Sequence, residues 1–256
     1  SGGFLIVNDI SEILQSNFQI YIFSISMLVS FFGILLPYNI FSIKKKDLTV
    51  FTEDYYLLIY FIFLFGLFFL FFNQNNNFAI TFFSLISSIS NIGFSFDSYS
   101  QNNFILIILV IIGGSLVSTS SGLRFMKIYL LTKFSFNELL SHAKPKHILL
   151  NKVLFSKVKI NINDINKYFF TITIFILSFV LLVSLLTLYN INFDKAFNLG
   201  ILTLMNTVNS SLYGLEDLNF AEFSFSLKFI LILFMIIGRL EFITILILIK
   251  KFVFKN

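Results

Sequence analysis

The sequence predicts an all-α integral membrane protein built from tandem repeats of helix, short re-entrant helix and helix. Hydrophobic residues make up 57% of the 256 positions and charged residues only 12%, a composition typical of membrane proteins. Several apolar stretches reach the roughly 20 residues that a helix needs to cross a bilayer. A tract of Gly, Ser and Thr at 113–122 interrupts one of these stretches, which indicates a specialised site within it.

Five apolar stretches are long enough to be membrane-spanning helices. We expect these helices at 19–43, 55–72, 104–133, 168–190 and 223–254. Two further apolar stretches, 78–90 and 196–208, have only about a dozen residues each, a length more typical of a buried or re-entrant helix.

Basic residues cluster in three predicted loops, at 44–46, 124–167 and 250–255. The positive-inside rule places such loops in the cytoplasm, so the N-terminus lies outside and the C-terminus inside. Because the net charge of +5 is concentrated in these loops, we expect no nucleic-acid partner. The sequence predicts a multi-pass protein of the cell inner (plasma) membrane, surrounded by the lipid bilayer.

One structural unit occurs twice in the chain, and internal repeats of this kind identify an architecture. The third repeat is expected at 47–133 and the fourth at 168–256, joined by a cytoplasmic basic linker at 134–167. Residues 1–46 read as the end of a second repeat, with a turn followed by an inner helix. Since the chain also begins without Met, we expect a fragment of a longer protein.

The Gly/Ser/Thr tract is predicted to be a gate. A glycine inside a helix costs about 1 kcal/mol relative to alanine, so such a tract is expected at bilayer depth only where backbone lines a cavity or is shielded by protein. The candidate gate residues in it are Gly113, Gly114, Ser118, Thr119, Ser120, Ser121 and Gly122.

The short helices end in turns rich in Ser, Asn and Gly, which suit the binding of a cation. Backbone carbonyls in a short extended turn can replace the hydration shell of a cation, and glycine allows them to point inward. Four short patterns occur in order along the chain: Ser1-Gly2-Gly3-Phe4, Ser90-Asn91-Ile92-Gly93-Phe94-Ser95, the tract at 112–124, and Gly238-Arg239-Leu240-Glu241. Together they resemble the Trk/Ktr/HKT family of potassium and sodium transporters, whose membrane subunit holds four helix–pore-loop–helix repeats in one chain.

The resemblance implies that this chain is the last two and a half repeats around a pseudo-four-fold pore. It implies ion-filter turns at Ser1, Gly2 and Gly3, at Ser90, Asn91, Ile92 and Gly93, and at Asn209, Ser210, Ser211 and Leu212. Leu212 stands where the fourth turn is expected to carry its central glycine, and leucine rarely adopts a positive φ. Potassium and sodium therefore both stay open as the transported cation.

Arg239 is the most informative single residue, because it lies in the apolar run 229–249. An ionisable group at such a position predicts a functional role. The resemblance implies a pore-lining arginine that faces the gating loop and retards cations. The alternative is a structural role, in which Arg239 pairs with Glu241 or reaches a lipid headgroup.

These observations predict potassium uptake through a channel-like pore. The alternatives are a sodium transporter, a transporter that binds a solute at the midplane, and a noncatalytic membrane anchor for a cytoplasmic protein. We expect no enzymatic activity, and the pair His142 and His147 reads as part of a basic loop rather than a transition-metal site. No cofactor is expected in the chain, with K⁺ as the transported ion. The resemblance implies a homodimer and a cytoplasmic regulatory subunit that binds the nucleotide.

Overall fold

The structure, a computed structural model, describes residues 10–32, 50–72, 78–94, 96, 104–115, 118, 120–143, 162–207, 213–215 and 218–239. These residues are mostly helical. The described α-helices are α1 (Asn17–Phe31), α2 (Val50–Phe72), α3 (Phe78–Ile89), α4 (Phe104–Ile111), α5 (Phe125–Ala143), α6 (Ile162–Leu188), α7 (Phe193–Met205) and α8 (Phe225–Arg239). Two short strands, β1 (Ile112–Gly113) and β2 (Leu123–Arg124), separate α4 from α5, and 3₁₀ turns lie at Ile10–Glu12 and Phe220–Glu222.

Helix α1 begins at a capping box. The Ser16 hydroxyl accepts a hydrogen bond from the backbone N–H of Gln19 at 3.3 Å, and the Gln19 side chain accepts one from the Ser16 N–H at 3.2 Å. This arrangement satisfies two backbone donors that a helix N-terminus otherwise leaves open. The buried positions Ile20, Met27 and Phe31 form one face of α1, which packs on α3.

The short helices α3 and α7 are the centres of the two halves of the fold. Helix α3 packs against α1, α2 and α4, and α7 packs against α4, α6 and α8. Helix α3 therefore contacts the helices before and after it in the chain and also α1, and α7 contacts the helices before and after it and also α4. Nine of the 12 residues of α3 are buried, which fits a helix enclosed on all sides.

Both short helices were expected from the sequence, and both are confirmed as helices. Helix α3 ends one residue before the predicted stretch 78–90 does, and α7 lies three residues before the predicted stretch 196–208. The predicted inner segment 104–133 is broken as expected, since α4 ends at Ile111 and α5 begins at Phe125.

Two helices extend into the predicted linker. Helix α5 continues to Ala143 and α6 begins at Ile162, so both ends of the stretch 134–167 are helical. Among the described helices, Ile165–Leu188 passes a length-and-hydropathy criterion for crossing a membrane, while Asn17–Phe31, Tyr56–Leu67 and Phe78–Ile89 are shorter apolar helices. The predicted span 19–43 is wrong as one continuous helix, because α1 ends at Phe31 and Phe32 is extended. The other predicted crossings and their orientation stay predictions.

Candidate functional site

The break between α4 and α5 is a loop whose two ends are paired. Strands β1 and β2 run parallel, with Ile112 opposite Leu123 and Gly113 opposite Arg124. The Phe125 N–H also donates to the Gly114 carbonyl at 3.2 Å. We call residues 114–122 the 114–122 loop; the structure describes it at 114, 115, 118 and 120–122.

Three glycines allow the loop to close this tightly. A Cβ atom on Gly113 would overlap the carbonyl oxygen of Ser121, and one on Gly114 would overlap the carbonyl oxygen of Phe31 in α1. Gly122 has a φ of 96°, which side chains other than glycine rarely adopt. The glycines predicted as gate residues are therefore required by the local backbone.

Arg124 organises the loop from its C-terminal end. Its Nη1 atom lies 3.0 Å from the Ser115 carbonyl oxygen, 3.2 Å from that of Ser118 and 3.0 Å from that of Ser120. The Ser118 and Ser120 hydroxyls are 2.8 Å apart, and Ser120 Oγ accepts from the Gly114 N–H at 2.9 Å. Because hydrogen bonds from a charged donor are stronger than neutral ones, Arg124 holds the loop in a compact conformation.

Ser121 joins two other predicted site residues. Its carbonyl oxygen accepts from Asn91 Nδ2 at 2.9 Å, and its hydroxyl oxygen accepts from Arg239 Nη1 at 2.9 Å. Asn91 lies at the end of α3 and Arg239 at the last described turn of α8. The structure thus brings together three candidates from separate stretches of the sequence.

Helices α3 and α7 end in equivalent turns. Asn91 has a φ of 56° and donates its N–H to the Ser88 carbonyl, while Asn206 has a φ of 52° and donates to the Thr203 carbonyl. The next N–H groups, of Ile92 and Thr207, both reach five residues back, at 3.0 Å in each case. A left-handed residue with these bonds is a common way to end a helix.

Each of the two asparagine side chains binds a different segment. Asn91 Nδ2 donates to the 114–122 loop, whereas Asn206 Nδ2 donates to the Met235 carbonyl in α8 at 2.9 Å. The α7 end is also in close contact with α8, because a Cβ atom on Gly238 would overlap the Leu204 carbonyl oxygen.

Two buried oxygens at these turns lack a hydrogen-bond partner in the described part of the chain. They are Asn91 Oδ1 and Thr207 Oγ1, in residues that are 1% and 5% exposed. The bond from Nδ2 to the Ser121 carbonyl fixes the Asn91 amide, since only the NH₂ group can donate there. A buried polar group without a partner costs about 1–3 kcal/mol, so a water or a cation at either oxygen would be stabilising.

Tyr213 links the chain after α7 to α3. Its side chain is fully buried, its hydroxyl lies 3.2 Å from Ser88 Oγ, and its carbonyl accepts from Asn198 Nδ2 at 3.0 Å. Burial raises the pKa of the Tyr213 phenol, an effect that the hydrogen bond with Ser88 partly opposes. The phenol is therefore neutral and serves as a packing and hydrogen-bonding group.

A cavity of about 150 Å³ lies between the 114–122 loop, β2 and helices α5 to α8. Three basic side chains line it: Arg124, Lys127 and Arg239. Sequence reasoning placed Arg124 only at the edge of the tract and gave no role to Lys127. The sequence does contain a signal for these two basic residues. They directly follow the Gly/Ser tract and lie three residues apart, at the start of α5.

Several predicted site residues lie outside the described residues, so their positions stay predictions. These are Ser1, Gly2, Gly3, Thr119, Asn209, Ser210, Ser211 and Leu212. His142 is exposed on α5, and His147 is outside the described residues.

The fold is similar to that in the crystal structure of the potassium transporter TrkH from Vibrio parahaemolyticus. The TM-score is 0.71 at 22% sequence identity, and the match covers 97% of this chain and 53% of TrkH. The chain has a TrkH-like fold. It spans about half the length of TrkH, and the match confirms the resemblance expected from the sequence at the level of the fold. Neither a protein-family model nor a curated protein sequence matches the chain.

Proposed function

We propose that this chain is the ion-conducting part of a plasma-membrane transporter that takes up potassium through a channel-like, gated pore. The observation that carries the proposal is Ser121, which connects the turn at Asn91 with Arg239 on α8. The fold supports it, because TrkH is a potassium transporter. The chain spans 53% of TrkH, so the activity is proposed for the full-length protein.

The ends of α3 and α7 supply the cation-binding part of the pore. The C-terminus of a helix carries a partial negative charge, which stabilises a nearby cation. The buried, unpartnered oxygens of Asn91 and Thr207 lie at these two ends. Backbone carbonyls of the following turns, with Gly93 at a φ of 88°, complete the filter by replacing water around the ion.

The 114–122 loop and Arg239 form the gate. The loop is held on one side by Asn91 and on the other by Arg239, so it lies between the filter turn and the charge. A unit charge about 8 Å from a cation raises its energy by about 2 kcal/mol at an effective dielectric constant of about 20. Conduction therefore requires the loop and Arg239 to separate.

The proposal includes the partners that the family resemblance implies. They are a second copy of the membrane subunit and a cytoplasmic nucleotide-binding subunit that moves the gate. The basic segments that flank the spans are the surfaces that face this subunit. The membrane chain itself holds the transported ion and performs no covalent chemistry.

Substitution of Arg239 tests the proposal. In the full-length protein in proteoliposomes, Arg239→Ala should raise potassium uptake per molecule about tenfold or more, and Arg239→Glu should raise it further, because each 1.36 kcal/mol of barrier is a factor of ten. Lys228→Ala is the matched control, since Lys228 lies on the same helix and donates to the Ala221 carbonyl at 2.8 Å, away from the loop. Potassium uptake measured with sodium as a competing cation shows which of the two ions is preferred.

The structural alternative predicts a different result. If Arg239 serves only to hold α8 in place, Arg239→Ala lowers the amount of folded protein while uptake per molecule stays at the wild-type value. Equal changes in Arg239→Ala and Lys228→Ala would also contradict the gating role.

A further inference from the structure

Tyr213 joins the two short helices whose C-terminal ends form the proposed cation-binding part of the pore. Its backbone carbonyl accepts from Asn198 Nδ2 on α7 at 3.0 Å, and its phenolic oxygen lies 3.2 Å from Ser88 Oγ on α3. The two bonds leave from opposite ends of one residue, so the side chain of Tyr213 reaches from α7 to α3. A tyrosine has few side-chain torsions and is therefore a rigid spacer.

The Tyr213 hydroxyl is the donor in its bond with Ser88. Ser88 Oγ donates its own hydrogen to the Ser84 carbonyl at 2.9 Å, which leaves its lone pairs free to accept. Tyr213 and Ser88 are both fully buried, so bulk water does not compete for either hydroxyl. A buried donor that loses its acceptor is more costly than the removal of both partners. The loss of Ser88 Oγ should therefore destabilise the protein more than the loss of the Tyr213 hydroxyl.

Ser88 also holds the turn at the end of α3. Its backbone carbonyl accepts from the Asn91 N–H at 3.2 Å. The carbonyl of the preceding residue, Ser87, accepts from the N–H groups of Ile92 and Gly93 at 3.0 and 3.3 Å. The residue that receives the phenol thus also fixes the first residue of the proposed filter turn.

We propose that Tyr213 is a positioning residue for cation selectivity, and that its bond with Ser88 holds the ends of α3 and α7 at the spacing that suits potassium. This inference rests on the proposed function and deepens it. A filter that replaces the water around a cation discriminates between ions by the arrangement of its oxygens. Without the phenolic hydroxyl, the two helix ends can approach each other around a smaller cation, so sodium competes better.

Potassium and sodium uptake per molecule, measured for the full-length protein in proteoliposomes, tests this role. Tyr213→Phe keeps the ring and removes the hydroxyl, and we expect the ratio of potassium to sodium uptake to fall at least about threefold, the effect of losing one buried hydrogen bond. Ser88→Ala removes the same bond from the other side and should lower the ratio at least as much. Tyr21→Phe is the matched control, because the Tyr21 ring packs on Phe78 and Phe82 in the first half of α3. It should keep the wild-type ratio.

Thermal melts of the same variants test the bond itself. The melting temperature should fall further for Ser88→Ala than for Tyr213→Phe, in which Ser88 keeps its bond to the Ser84 carbonyl. The double variant should melt above Ser88→Ala, since its buried phenolic donor is gone. Ser84→Ala is the serine control, because the Ser84 hydroxyl donates to the Thr81 carbonyl within α3. It should keep the wild-type ratio of cation uptake.

The inference is overturned if Tyr213→Phe and Ser88→Ala keep the wild-type uptake ratio, even where they melt at a lower temperature, because Tyr213 would then stabilise the fold without setting selectivity. It is equally overturned if the control Tyr21→Phe changes the ratio as much, or if the two losses of melting temperature simply add in the double variant. A wild type that takes up neither cation would refute the proposed function, and this inference with it. Potassium uptake by the wild type with unchanged ratios in the variants would refute this inference alone.

Discussion

Helices α3 and α7 end in the same kind of turn, but the asparagine of each turn donates to a different kind of segment. Asn91 donates to an irregular loop, and Asn206 donates to a helix. Asn91 holds the 114–122 loop, which interrupts its closing segment, whereas Asn206 holds α8, which is helical from Phe225 to Arg239. The backbone conformation and the hydrogen bonds of the two turns match. The two turns therefore differ in the segment that accepts the hydrogen bond from the asparagine side chain.

This difference bears on the proposed gate. In the first case, side-chain hydrogen bonds from Asn91 and Arg124 hold an irregular loop. In the second case, Gly238 lies directly against the Leu204 backbone, so α7 and α8 are packed without space between them. We infer that the α3 side carries the gate and the α7 side is the rigid part against which the gate closes.

The largest expected effect is on the rigid side. Gly238→Ala would place a methyl group on the Leu204 carbonyl, and overpacking of this kind costs about 1–3 kcal/mol. We expect the melting temperature in detergent to fall by several degrees. Gly66→Ala is the control, because nothing lies within 4 Å of a Cβ atom there.

In that control, the higher helix propensity of alanine should leave the melting temperature unchanged or raise it. A Gly238→Ala protein as stable as the wild type would show that α8 is free to shift away from α7. The α7 side would then no longer be the rigid one.

Substitution of Asn91 and of Asn206 distinguishes the proposed gate from the rigid side more directly. Replacement by glycine keeps the left-handed backbone and removes the side-chain hydrogen bond, worth about 0.5–1.5 kcal/mol, and at Asn91 it also removes the Oδ1 atom. We expect Asn91→Gly to raise potassium uptake per molecule about threefold to tenfold, because the loop is released. Asn206→Gly should lower the melting temperature and leave uptake per molecule unchanged.

Uptake assays and thermal melts on the two variants check this pair. The comparison fails if both variants raise uptake equally, since the two turns would then have the same role.

The smallest expected effect is at Ser121. Ser121→Ala removes the acceptor for Arg239 but keeps the carbonyl that binds Asn91. Because Arg239 is exposed, water can replace the lost bond, and we expect potassium uptake per molecule to rise only about twofold to threefold. Ser178→Ala, which loses a bond within α6 to the Phe175 carbonyl, should show no rise in uptake. A rise in the control alone would contradict this assignment.

The sequence predicted the broken segment and the two short helices because both depend on local patterns. Apolar length identified α3 and α7, and glycines identified the break. The helical residues at 134–143 were assigned to a linker because hydropathy decreases there, although a polar stretch can continue a helix. The end of an apolar stretch in the sequence marks where a helix leaves an apolar environment, not where the helix itself ends.

The contacts of the site were harder to predict because they join distant parts of the chain. The Asn91 bond to Ser121 spans 30 residues, and the Arg239 bond to the same residue spans 118. The equivalence of Asn91 and Asn206 also pairs Gly93 with position 208, four residues before Leu212. Asparagine can adopt the left-handed conformation of glycine, so a comparison based on glycines did not detect this register.

The central claim is that the 114–122 loop blocks the ion path, and shortening the loop tests it most directly. Deletion of residues 116–119 in the full-length protein keeps Gly113, Gly122 and the paired strands at the ends of the loop. Potassium uptake per molecule is measured in proteoliposomes, with the amount of protein counted in the same vesicles. The account predicts a rise of about tenfold or more. Uptake at the wild-type level, with normal abundance in the membrane, would contradict it and favour a solute-binding or purely structural break.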